Sequence, residues 1–98
     1  MSRLTDTQLM EAVEAAARED TFGFTSIRAD STDAEAAAAG GGRTPRIAII
    51  LDRPLPTVRR RLFALHEKGL LVRAGSSKSA YRWWPVGLVT RISSAISD

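Results

Sequence analysis

The sequence predicts a mostly helical α+β fold, and three observations carry that prediction. Apolar residues recur at helical spacing in the first twenty residues and again between Thr44 and Lys68. Between Leu70 and Trp84 the pattern changes to that of strands, around the turn-forming run Gly75-Ser-Ser-Lys78. Helical spacing then returns over 86–97. Ninety-eight residues make one small domain, residues 1–98. Its core must come from packing alone, because the chain has no cysteine for a disulfide.

The first helix is expected at Asp6–Asp20. Thr5 and Gln8 have capping-box spacing, and Leu4 and Leu9 occupy the positions of a hydrophobic staple. Leu9, Met10, Val13, Ala16 and Ala17 form the apolar stripe, with Glu11, Glu14 and Arg18 on the wet side. Thr21–Arg28, with Phe22, Phe24, Thr25 and Ile27, suits a short strand. Thr32 and Glu35 then repeat capping-box spacing ahead of an alanine run closed by Gly40–Gly42. That stretch reads equally as a two-turn helix or as a flexible low-complexity insertion over 29–43, since so short a helix is marginal by itself.

Thr44 as cap and Pro45 at the first helical position open a helix running through Leu51. Asp52–Pro56 must interrupt it, because neither Pro54 nor Pro56 can continue a helix interior. Pro56 begins the next helix, which runs to about Lys68 and is stopped by Gly69. Two helices joined by so short a turn make a helix-turn-helix. Leu70–Ala74 and Ser79–Trp84 follow as a two-stranded hairpin, with Tyr81 and Trp83 on one face and Arg82 and Trp84 on the other. Beyond Pro85, Leu88, Val89, Ile92, Ala95 and Ile96 line one side of a final helix.

Charge is divided unevenly along the chain. Residues 1–42 hold three basic and eight acidic side chains, net −5, whereas 43–98 hold eleven basic and three acidic, net +8. A polyanionic partner is therefore expected for the second half. A single histidine, His66, and the lack of cysteine rule out multi-His and thiolate metal sites and a cysteine nucleophile. With no nucleophile–base pair and no P-loop or dinucleotide fingerprint around Gly40–Gly42, enzyme chemistry is not expected. No cofactor is implied, and nothing points to a small-molecule effector. The N-terminus lacks an apolar signal core and no apolar run is of membrane-spanning length, so a cytoplasmic protein without a membrane partner is expected.

The segment LDRPLPTVRRRLFALHEKGLLVR, Leu51–Arg73, resembles the winged helix-turn-helix DNA-binding domains of bacterial and archaeal repressors. In that family a leucine closes the first motif helix and a Thr-Val pair opens the recognition helix. Two leucines then alternate with basic residues before a Glu-x-Gly-Leu-Val-like exit. The matching positions are Leu51, Thr57-Val58, Leu62 and Leu65, and Glu67–Val72. The likeness covers about Thr44–Trp84. This chain departs from it with Asp52, where the family usually keeps a small residue or glycine, and with a longer glycine-rich approach to the motif. The resemblance implies three core helices and a two-stranded wing, here with an additional C-terminal helix. It also implies a small transcriptional regulator that occupies a double-stranded DNA operator. The alternative on the same scaffold is a protein–protein interaction module.

Within the recognition helix, Val58, Leu62 and Leu65 fall on one stripe and Arg60 points away from it, with Arg59 and Arg61 on opposite flanks. Three consecutive arginines thus fan out and cannot all read bases. Arg60 is the first choice for a base-edge contact, since a guanidinium bonds guanine O6 and N7 bidentately; Arg59 either shares that role or holds a phosphate, and Pro56 lies beside Arg60 as a further base contact. Backbone contacts are assigned to Thr57 and Arg61, and on the hairpin to Arg73, Ser77, Lys78 and Arg82. Phe63 and at least one tryptophan are expected to pack rather than touch DNA, and His66 to sit at the rim. Ile47, Ala48 and Leu51 face the core from the preceding helix, but Ile49 is left wanting cover. The stripe Leu88, Val89, Ile92 and Ile96 either packs on the first helix or pairs with its copy in a homodimer.

Overall fold

The computed structural model describes residues 4–20, 32–75 and 81–91. The first helix, α1, spans Asp6–Asp20. The Thr5 hydroxyl accepts from the Gln8 N–H at 3.1 Å and Gln8 Oε1 accepts from the Thr5 N–H at 3.0 Å, so the expected capping box is formed. The stripe Leu9, Val13, Ala16 and Ala17 is wholly buried.

A second helix, α2, occupies Asp33–Gly40. It begins with another reciprocal box, Glu35 N–H to the Thr32 hydroxyl at 3.1 Å and Thr32 N–H to Glu35 Oε1 at 3.0 Å. An eight-residue helix needs tertiary support. Ala36 and Ala37 supply it by burial. The Asp33 carboxylate adds two anchors, accepting from Trp84 Nε1 at 3.1 Å and from the Gly87 N–H at 3.0 Å. Over 32–43 the chain is thus a docked element rather than a flexible insertion. Residues 29–31 and the strand expected at Thr21–Arg28 lie outside the described residues.

After α2 comes a two-residue strand, β1 (Gly42–Arg43), then α3 (Thr44–Leu51). The expected cap is displaced by one residue: Arg43 takes the cap position, Thr44 starts the helix and Pro45 sits in its first turn. Thr44 is turned inward, where its hydroxyl accepts from Trp83 Nε1 at 2.8 Å. The turn after α3 is made by Asp52, whose φ of 53° is the left-handed conformation that Asp tolerates better than most side chains. The next helix, α4, spans Leu55–Glu67 and so starts one residue before Pro56. Pro54 is its cap and Pro56 fits within the first turn, where no N–H is needed. At its end Gly69 adopts φ 81°, and the Leu70 N–H reaches the Leu65 carbonyl at 3.1 Å, a Schellman closure.

Strands β2 (Leu71–Ala74) and β3 (Arg82–Pro85) pair antiparallel, with Val72 opposite Trp84 and Arg73 opposite Trp83. The expected two-stranded hairpin is in fact part of a three-stranded sheet in the order β1-β3-β2. Gly42 and Arg43 have no strand propensity of their own; the second edge of β3 recruits them. Strand β3 runs on through Pro85, beyond the expected end at Trp84. A helical turn follows at 88–91, the start of the expected final helix, whose continuation lies outside the described residues.

The two faces of the sheet define two cores. Trp83 and Leu71 join Leu9, Val13, Ala16, Ile47, Val58, Leu62 and Leu65, which come from α1, α3 and α4. On the other side, Trp84 packs with Ala17, Ala36, Ala37, Leu88 and Val89, bringing α2 against the sheet. The connection between α2 and α3 is pressed tightly into this arrangement. A Cβ on Gly41 would meet the Ala37 carbonyl oxygen at 2.8 Å, and one on Gly42 would meet Ala16 Cβ at 2.7 Å.

Candidate nucleic-acid interface

Helix α4 buries Val58, Leu62 and Leu65 almost completely, which fixes the direction of every other side chain on it. Pro56, Thr57, Arg60, Ala64 and Glu67 are exposed, and Arg59, Arg61 and Phe63 are half-buried on the flanks. The three arginines do fan out as their spacing requires, but their surroundings differ more than spacing reveals. Among the described residues, Arg60 has no carboxylate partner. Arg59 is half-buried, and its Nε is buried without a hydrogen-bond partner among the described residues.

Arg61 is different. Its Nη2 donates to Asp6 Oδ1 at 2.9 Å, and Lys68 Nζ donates to Asp6 Oδ2 at 3.3 Å. The hydrogen bonds from Arg61 and then Lys68 hold the Asp6 carboxyl below its ordinary pKa. The side chain expected to clamp phosphate is therefore already held by a carboxylate of the first helix. Nothing in linear spacing links residues 6 and 61, and Asp6 by itself reads as an ordinary acid in a first helical turn. Other α1 acids do likewise: Glu19 accepts from Arg46 at 2.6 and 3.0 Å, and Glu14 pairs with Arg91 at 3.1 Å. The acidic first half thus neutralises cations of the basic half through α1.

On β2, exposed Arg73 lies over the Tyr81 ring, 4.6 Å from its centroid, and 5.5 Å from that of Phe63. Phe63 in turn meets Tyr81 and Trp83 edge-on, with centroids 5.7 and 5.2 Å away. This stack joins α4 to the sheet and holds the Arg73 guanidinium beside α4; it also accounts for an outward-pointing phenylalanine. His66 is half-buried at the rim, its Nδ1–H donating to the Leu71 carbonyl at 2.9 Å.

Arg82 does not join Arg73. It lies on the opposite face of the sheet, where its Nη1 donates to the Gly41 carbonyl at 3.2 Å. Strand alternation already put it on that face; what the sequence did not disclose is that α2 and its connection cover it. Ser77 and Lys78, at the hairpin tip, lie outside the described residues, as do Ile92 and Ile96. Leu88 and Val89 are buried in the second core with Ala17 of α1, Ala36, Ala37 and Trp84. Ile49 stays 67% exposed, in an open groove of about 560 Å³ with Pro45, Ala48, Pro54 and Leu55.

Among the described residues, no helix is long and apolar enough to cross a membrane and no cluster of His, Asp or Glu is arranged to hold a metal ion. No family model, curated protein or solved structure matches the chain.

Proposed function

We propose that this protein is a sequence-specific double-stranded DNA-binding protein of winged helix-turn-helix type, a small transcriptional regulator acting by operator occupancy. In this reading α4 enters the major groove, and the β2–β3 hairpin lies on the backbone or minor groove. The observation that carries it is the outward face of α4: Pro56, Thr57 and Arg60 are exposed beyond a fully buried Val58–Leu62–Leu65 stripe, and Arg60 has no acidic partner among the described residues. The element order, with β1 added to the hairpin, is compatible with a winged helix. At the turn, Asp52 adopts the left-handed backbone conformation that the family's usual glycine favours. A nucleoid location in the cytoplasm follows from the same reading.

The test is selection of bound sites from a random duplex library, followed by affinity measurement on the selected site and on random duplex. Arg60→Ala is expected to cost about 1–3 kcal/mol and to relax preference at one base pair. Equal losses on both duplexes would remove the base-reading role, and absence of duplex binding at low salt would overturn the proposal. The exposed Ile49 in its apolar groove favours the second reading, a protein-interaction module, which that last outcome would promote.

A further inference from the structure

We infer that Asp6 is an internal competitor for DNA phosphate, occupying Arg61 and Lys68 and thereby setting how strongly this protein holds any duplex. The inference rests on the DNA-binding reading above and adds to it a residue from outside the helix-turn-helix.

Both oxygens of the Asp6 carboxylate are engaged: Oδ1 by the Arg61 guanidinium at 2.9 Å and Oδ2 by the Lys68 ammonium at 3.3 Å. Chemically this is the recognition that a phosphodiester oxygen would offer the same two cations. Asp6 belongs to α1, whose position is fixed by Leu9, Val13 and Ala16 in the core, so the carboxylate is delivered by the fold rather than by a loose tail. One side of α4 therefore presents Arg60 without an acidic partner, while the other presents cations that already have one.

The competition is graded. The Arg61 side chain is 35% exposed and that of Asp6 47%, so water screens the pair and a strong polyanion can displace it. Asp6 thus weakens phosphate contact without forbidding it. Because phosphates are the same at every site, its effect must be a common factor for all sequences, separate from the base preference assigned to Arg60.

The experiment is a salt titration of duplex affinity for the whole chain, on the selected site and on random duplex, with wild type, Asp6→Asn, Arg61→Gln and the double variant. Circular dichroism and denaturation midpoints establish that each is folded. Asp6→Asn is expected to bind both duplexes more tightly by a common factor, roughly threefold to tenfold at low salt. It should also steepen the plot of log affinity against log salt by about 0.9 for each phosphate gained. Arg61→Gln alone should change the wild-type slope by much less than Asp6→Asn does, and in the double variant it should remove the part of the gain that Arg61 supplies. The Arg61→Gln result stands even where Asp6→Asn folds poorly. A folded Asp6→Asn with unchanged slope overturns the inference, as does an Arg61→Gln slope flatter by the full value of about 0.9 for one phosphate, which would mean that Arg61 already holds phosphate unopposed. Both outcomes leave the DNA-binding reading intact. A wild-type chain that binds no duplex overturns that reading and this inference together.

Discussion

Two adjacent tryptophans on one strand hold two unlike cores. Trp83 is enclosed by large aliphatic side chains from α1, α3 and α4, and its indole N–H is satisfied inside the protein by Thr44. Trp84 points the other way, into a smaller core walled by Ala17, Ala36 and Ala37, and its N–H is satisfied near the surface by Asp33. The first core orients α3 and α4 against α1. The second fastens an extra helix to the back of the sheet. The contrast teaches that position, not residue type, divides the labour here, since strand alternation alone sends identical side chains to opposite tasks.

The comparison can be broken most forcefully by truncation. Trp83→Ala should cost about 5 kcal/mol, at the upper end for such changes, because its rigid neighbours cannot collapse into the space. That approaches the whole stability of a small domain, so urea denaturation should find the variant barely folded. Trp84→Ala should cost about 3 kcal/mol, with a cooperative transition retained. Equal losses would show that the two cores are one unit.

Smaller changes sharpen the same contrast. Thr44→Val leaves the Trp83 N–H buried without an acceptor and should cost about 2 kcal/mol. Asp33→Ala also removes an indole acceptor, but water can replace it at this half-buried site, so about 1 kcal/mol is expected. Its signature is local: hydrogen exchange should speed up in α2 while α3 and α4 keep their protection.

Acid should have the smallest effect. Hydrogen bonds from Arg61 lower the Asp6 pKa, those from Arg46 lower that of Glu19, and the Thr32 backbone N–H lowers that of Glu35. A carboxyl whose pKa is lower folded than unfolded binds fewer protons in the native state. It therefore adds stability above the ordinary carboxylate range, at about pH 4, and loses it as pH falls through the lowered values. Denaturation midpoints at pH 7 and pH 3 should differ in that direction, and Asp6→Asn should reduce the difference.

What the sequence disclosed was whatever repeats at a fixed interval or needs a particular residue type. The α1 boundaries, and those of α3 to within one residue, followed from apolar spacing, a capping box and prolines, and the α4 stripe from Val58, Leu62 and Leu65. Strand β1 was hidden because Gly42 and Arg43 are strand-forming only through β3. The helical reading of 33–40 could not be preferred, because its support comes from Trp84 and Gly87, more than fifty residues away. The Asp6–Arg61 pair was invisible for the same reason, with a separation of 55 residues. On the candidate interface, the direction of Arg60 was legible, but not which of its neighbours would be occupied.

The glycine run at 40–42 has a practical meaning for anyone cutting or extending this chain. Three consecutive glycines look like slack, the natural place for a tag, a permutation point or a longer linker. Here they are packed into the structure. All three are buried, and Gly41 and Gly42 have backbone or side-chain atoms where any Cβ would stand. Even an alanine must push α2 or β3 aside at Gly41, and at Gly42 must push α1 away from the sheet or pull β1 off its partner. The tolerant sites for engineering should be sought elsewhere, because this segment is buried and has no room for a side chain at Gly41 or Gly42.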